Sequence, residues 1–285
     1  MEKITVFIDG SSYAESVCDH AVWAAQRLET PVSLVHVLGR RNEISSQPGD
    51  LSGSLKLGAR TELLNKLSKL DEERALLGRE RGRAILDDAA ARMRAQTGIE
   101  ITTRLRSGDL IEAIKELEGE TRFAIIGKRG EAAGFAKEHL GSNLDRSVRT
   151  SNRPVLVASR AFKPINRFLL AYDGSPATGR AIERLCEGSV LKGLECHLLT
   201  VGSATPANRS QLTAAAQRLR GAGFEVTEHL ETGDPETIIS KAVATHGIDL
   251  LVLGKSGHTR LRQLFIGSTT LDLMRTCLVP VLIFP

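Results

Sequence analysis

Three glycines and two hydroxyl side chains stand close together near the end of the chain. Gly254, Gly257, Gly267, Ser268 and Thr269 lie in LGKSGHTRLRQLFIGST, which runs from Leu253 to Thr269 with the spacing G-x2-G-x9-G-S. Glycine lets backbone approach a ligand closely. A Gly-Ser pair that opens a helix offers unpaired N–H groups and partial positive charge, which suits phosphate. Lys255, His258, Arg260 and Arg262 add charge that can screen a polyphosphate. The stretch contains GKS, the tail of a Walker A loop. That loop needs glycine five positions before Gly254, where this chain has Asp249. The chemistry to look for is therefore phosphate binding on a different glycine loop.

Elements must position those residues. DLLVL ahead of Gly254 reads as a strand, and STTLDLMRTC after Gly267 reads as a helix. In an open parallel sheet, ligands sit beyond the carboxyl ends of the strands. Asp173 ends an earlier strand, and its carboxylate can accept from an exocyclic amine such as that of adenine. Val201 ends the next strand and can wall a base. Each feature has a plain structural alternative. Glycines turn the chain after strands, Gly-Ser caps helices, and Asp-Gly-Ser is a common turn. Taken together they point to a nucleotide, with the base at Asp173 and Val201 and the phosphates at the glycine loop.

The same landmarks occur twice and in the same order. ITVFIDGSS answers FLLAYDGSP, PVSLVHVL answers LECHLLTV, and RLRSGDLIEAI answers EHLETGDPETII. FAIIGKRG answers LLVLGKSG, and LGSNLDRSVRTSNRPVLVAS answers IGSTTLDLMRTCLVPVLIFP. This is an internal duplication. Each half alternates short apolar runs with helical patterns, which predicts a parallel sheet with helices on both faces. The fold class is α/β, with two tandem Rossmann-like domains over residues 1–161 and 162–285. The first half carries extra chain at about 39–98. Thr61 to Gly98 is helical in pattern, and Gly78 or Gly82 is expected to break it into a helix pair packed on its own domain. The alternative is a helix that binds a protein partner. The two halves are expected to pair inside the chain, each covering the edge of the other's last strand. Whether two chains then form a homodimer is not readable from the sequence.

Bulk properties exclude several classes. The chain has 285 residues, 41% apolar and 25% charged, enough to bury proper cores. Net charge is +4, with basic and acidic residues interleaved, and aromatics make up only 4%. No basic face with interleaved aromatics marks a nucleic-acid binder. No apolar run is long enough for a membrane span. The opening MEKITVFIDG is already a strand and a turn, so no secretory leader is expected and the location is expected to be cytoplasmic. Cys18, Cys186, Cys196 and Cys277 are far apart, which predicts reduced core thiols. The seven histidines are scattered as well, so no metal site is expected.

The glycine spacing, the strand-end aspartate and the closing PVLI strand resemble the universal stress protein family, in tandem form. The resemblance covers nearly the whole chain twice. It implies five-stranded parallel domains that pair through their last strands, a cytoplasmic location, and ATP binding where the glycine motif is complete. It further implies that Asp173 and Val201 contact adenine. Leu253, Gly254, Gly257, Gly267, Ser268 and Thr269 would contact ribose and phosphates, with or without Mg2+. In the first half Asp9, Val37, Gly127, Gly130, Gly141 and Ser142 match, but ten residues separate Gly130 from Gly141. Glu131 and Glu138 oppose phosphate there, and Asn143 replaces the second hydroxyl, so the first half is the weaker site. The expected role is a stress-response regulatory protein without catalysis, its protein partner unknown. The alternatives are a scaffold that binds no nucleotide, or a slow ATP hydrolase.

Overall fold

A computed structural model describes residues 2–39, 57–128, 142–188, 190–255 and 268–285. The first half runs β1 (Lys3–Phe7), α1 (Ala14–Leu28), β2 (Val32–Gly39), α2 (Leu57–Arg94), β3 (Ile101–Gly108), α3 (Leu110–Leu117), β4 (Thr121–Gly127), α4 (Ser142–Thr150) and β5 (Val155–Ala158). The second runs β6 (Arg167–Ala171), α5 (Pro176–Cys186), β7 (Glu195–Val201), α6 (Pro206–Gly221), β8 (Glu225–Glu231), α7 (Pro235–Thr245), β9 (Leu250–Gly254), α8 (Ser268–Thr276) and β10 (Val281–Phe284).

The ten described strands join one sheet in the order β3-β2-β1-β4-β5-β10-β9-β6-β7-β8. Every pairing is parallel except that of β5 with β10, which is antiparallel. Each half is therefore a five-stranded parallel sheet, and the last strands meet at a central seam. β5, β9 and β10 are buried at every position, which is why their sequences are apolar without alternation.

Helices cover both faces. Ala21, Leu86, Ile182 and Leu212, from α1, α2, α5 and α6, pack on Ile4, Leu34, Phe168 and Leu198 of one face. Ile114, Val148, Ile239 and Leu273, from α3, α4, α7 and α8, pack on Val35, Ile126, Leu199 and Leu251 of the other. Equivalent helices thus share a face, so the halves are related by rotation about an axis normal to the sheet. Three crossover helices start on a hydroxyl or carboxylate followed by proline. Ser175, Thr205 and Asp234 accept from the backbone N–H of Thr178, Asn208 and Thr237. No described helix is long and apolar enough to cross a membrane.

The expected helix pair in the first half is corrected. α2 is one continuous helix of 38 residues, about 57 Å long at 1.5 Å per residue. Gly78 and Gly82 lie inside it without breaking it. A glycine in a helix interior costs only about 1 kcal/mol, and its neighbours here are good helix formers. Gly82 has a packing role. A Cβ there would meet Leu105 Cδ1 at 2.7 Å and His36 Cδ2 at 2.9 Å. The packed part begins at Gly82 and continues through Leu86, Ala89, Ala90 and Met93, all buried. Before it, Leu64, Leu70, Leu76 and Leu77 are exposed, so that portion does not pack on the described residues of its own domain.

Candidate functional site

The carboxyl ends of β6, β7 and β9 form one rim of the sheet. Ala171 stands opposite Leu199, so Asp173 and Val201 follow two positions further along adjacent chain segments. Thr200 Oγ1 donates to the Tyr172 carbonyl at 2.9 Å and fastens these two ends together. Asp173 Oδ1 accepts from Ser175 N at 2.9 Å and from Thr178 Oγ1 at 2.8 Å. The Asp-Gly-Ser turn is thereby real, with Gly174 at φ +71°. The turn also fixes the carboxylate at the rim. Val201 is half-buried, against the core layer that holds Leu253.

Gly254 ends β9 and is buried. A Cβ on it would lie 3.1 Å from Ala177 Cβ and from Thr178 Cγ2, and 3.2 Å from Thr178 N. The close approach that requires glycine here is made by the first turn of α5. Thr178 thus touches both Asp173 and Gly254. Thr270 Oγ1 reaches the Gly254 carbonyl at 3.4 Å, which ties the start of α8 to the same point. Leu253 is buried in the core, and Thr269 is half-buried beside Thr270. Gly257, Gly267 and the side chain of Ser268 lie outside the described residues, as do His258, Arg260 and Arg262.

Lys255 corrects an expectation. Its ammonium donates to the Ser151 carbonyl of the first half at 2.9 Å, rather than standing ready for a polyphosphate. Burial pushes its pKa below the ordinary value for lysine. The first half mirrors the contact. Lys128, which follows Gly127, donates to the Cys277 carbonyl at 2.5 Å. Each lysine crosses the seam to the end of the other half's last helix.

The rim of the first half lies at the opposite edge of the sheet, because its strands run the other way. Phe7 is opposite Val35, so Asp9 and Val37 again follow on neighbouring segments. Asp9 Oδ1 accepts from Ser11 N at 3.1 Å. Ala14 stands where α5 has Thr178, and it lacks the hydroxyl that donates to Asp173. Gly127 ends β4 opposite Ala158. Gly130, Gly141 and the side chain of Ser142 lie outside the described residues.

A model of the universal stress protein family matches residues 1–159 and again residues 164–285. The chain belongs to that family. It is 35% identical over 287 residues to the universal stress protein Slr1230 of Synechocystis sp., and the match covers 100% of both chains. A universal stress protein from Archaeoglobus fulgidus DSM 4304 has the same fold, with a TM-score of 0.72 at 20% identity, covering 99% of this chain and 96% of that one. A functionally unknown protein of Pseudomonas aeruginosa PAO1 gives 0.58 at 16% identity, with 100% and 92% covered.

In this universal stress protein, chain proximity and spatial proximity part company in two places. Asp249 is near the glycine loop in the chain but at the far end of β9 in space. Its Oδ2 accepts from the backbone N–H groups of Asn166 and Arg167 at 2.9 and 3.0 Å. The histidines are not all scattered. His197 of β7, His229 of β8 and His246 at the end of α7 come together, with ring nitrogens within 4.8 Å of one another. Register sets His229 opposite Leu199, two residues from His197, so both side chains share a face, and neither segment shows this by itself. Thr178 was missed because α5 gives it no helical signature apart from its place in the cap. The cysteines are free thiols, and burial pushes Cys18 and Cys196 up to about 12, which leaves them poor nucleophiles.

Proposed function

We propose that the chain is an ATP-binding regulatory protein without dedicated catalysis, with the nucleotide held mainly by the second half. The observation that carries this reading is the junction at Thr178, which braces Asp173 and packs on Gly254 at the rim where the complete G-x2-G-x9-G-S loop departs. Asp173 and Val201 would take the adenine. Leu253, Gly254, Gly257, Gly267, Ser268 and Thr269 would take ribose and phosphates, with Mg2+ as the companion of the phosphates. Lys255 is left out, since its ammonium is engaged across the seam.

Quantifying the nucleotide released when the purified protein is denatured tests this. About one adenine nucleotide per chain is expected, and Gly267→Val should abolish retention while the protein stays folded. Absence of nucleotide together with failed titration by Mg-ATP would reject the reading. A scaffold role is the second reading. It is favoured by the exposed leucines of α2, and it predicts that Gly267→Val changes nothing.

A further inference from the structure

The duplication gives an internal comparison for the histidine cluster. His197 occupies the strand position that Ser33 occupies in the first half, and His229 that of Arg104, by the registers of β2 with β3 and β7 with β8. In the first half this place holds an ion pair. Arg104 donates to both oxygens of Glu120, through Nη2 to Oε2 at 2.9 Å and through Nη1 to Oε1. In the second half the ion pair is gone and three imidazoles stand in its place.

The three rings lie close together. The rings of His197 and His229 are stacked with centroids 5.1 Å apart, His246 lies 4.5 Å from His229, and 5.1 Å separates it from His197. His197 is buried and the other two are half-buried, so the cluster opens to solvent on one side. His197 Nε2 is 3.1 Å from Glu195 Oε1, and the other oxygen of Glu195 accepts from Arg167 Nε at 2.7 Å. An ionised carboxylate only accepts, so His197 carries its proton on Nε2. Its Nδ1 lone pair therefore faces the cluster, 3.0 Å from His229 Nε2. A carboxylate behind a histidine, fixing its tautomer and orientation, is the usual outer support of a metal-ligating imidazole. Tetrahedral zinc with bonds near 2.0–2.1 Å needs nitrogens about 3.3 Å apart. The ligand atoms lie within 4.8 Å of one another, so that spacing asks the widest pair to close by up to about 1.5 Å.

We propose that His197, His229 and His246 bind one divalent transition-metal ion of the zinc class, with Glu195 as the positioning residue behind His197. Imidazole ligands suit Zn2+, Ni2+ and Cu2+ and disfavour Mg2+ and Ca2+. Three ligands leave a coordination position facing solvent. His197 precedes Val201 by four residues of β7, about 13 Å along the strand, so this site is separate from the nucleotide rim.

The test uses the full chain without an affinity tag, stripped by chelator and titrated with Zn2+ by calorimetry. One equivalent is expected to bind, with a dissociation constant in the micromolar range or tighter, and to raise the Tm. His246→Ala and His229→Ala should each weaken binding at least about 100-fold and remove the Tm rise. Glu195→Gln should weaken it about 10-fold with stoichiometry unchanged. Circular dichroism and the metal-free Tm check that the variants fold. Loading wild type with Cu2+ gives a measurement free of that concern, because nitrogen hyperfine coupling in its paramagnetic resonance spectrum reports imidazole ligation. Absence of saturable Zn2+ binding would overturn the proposal. So would binding undiminished in both histidine variants, or a Cu2+ spectrum without nitrogen coupling.

Discussion

Leu156 of β5 pairs with Leu282 of β10, and each is the other's counterpart in the repeat. The neighbouring pairs obey the same rule. Val155 faces Ile283 and Val157 faces Val281, which exchanges the two halves about the leucines. The pseudo-two-fold axis therefore passes between Leu156 and Leu282. Both leucines are buried, and β5 and β10 shield each other's edges as isologous surfaces do in a symmetric dimer.

Truncating either leucine should cost about the same. Leu156→Ala and Leu282→Ala are each expected to destabilise the protein by about 2–5 kcal/mol in denaturant unfolding, the range for a buried leucine whose site cannot collapse. The double variant should depart from additivity, because the two side chains share one packing site. A cost below about 1 kcal/mol for one of them would show that the seam is not symmetric in energy.

Lys255→Met separates a seam role from a phosphate role. Loss of the ammonium leaves the Ser151 carbonyl without this donor. A loss of about 1–2 kcal/mol is expected, the lower part of the range for a charged hydrogen bond because the lysine is only half-buried. Affinity for ATP should change less than about 3-fold by the same reasoning, since the charge is already committed. A large drop in affinity with unchanged stability would return Lys255 to the phosphates.

The two glycines of α2 should answer substitution differently. Nothing lies within 4 Å of a Cβ placed on Gly78, so Gly78→Ala should stabilise by up to about 1 kcal/mol through helix propensity. Gly82→Ala meets Leu105 and His36, and His36 is held by a 2.8 Å contact from its Nδ1 to the Ile8 carbonyl. Its Tm should fall below that of Gly78→Ala. Equal Tm values for the two variants would deny Gly82 its packing role.

His20 sets a pH dependence. Its Nδ1 donates to the Ser16 carbonyl at 2.7 Å, while Nε2 is buried without a partner and Phe162 packs edge-on at 4.9 Å. Burial pushes its pKa below 6.5, and the Ser16 carbonyl and Asp19 oppose this without cancelling it. A depressed histidine pKa means that the unfolded chain takes up the proton first as pH falls. Stability from this group is therefore full above about 6.5 and declines as pH drops from there toward the folded-state value. Denaturant midpoints measured from about pH 7 to pH 5 should fall more steeply for wild type than for His20→Leu. Parallel curves would place the sensitivity elsewhere.

The repeat was legible because five landmarks recur in order, and each landmark is local in sequence. The alternation of strand and helix followed from apolar runs such as VLVAS and VLIF, whose burial on both faces the sheet supplies. The extent of α2 was not legible. A helical pattern records spacing along one helix and not where the neighbouring sheet ends, so packed Leu86 and exposed Leu77 carry the same signal. Lys255 was misread because its partner Ser151 belongs to the other half, and the antiparallel seam that joins them leaves no mark on either segment. The histidines escaped for a similar reason. His197 and His229 are 32 positions apart, and only the register of β7 with β8 brings them together.

The axis between Leu156 and Leu282 runs through a single polypeptide. In an assembly of identical subunits, every substitution is copied to the far side, so neither side drifts without the other. Here each side accumulates changes independently. One side has Arg104 with Glu120, and the other has three imidazoles at the same place. One glycine loop has nine residues before its last glycine and the other has ten. Fusion removed the obligation to be symmetric, and the two edges of the sheet were released to become different instruments.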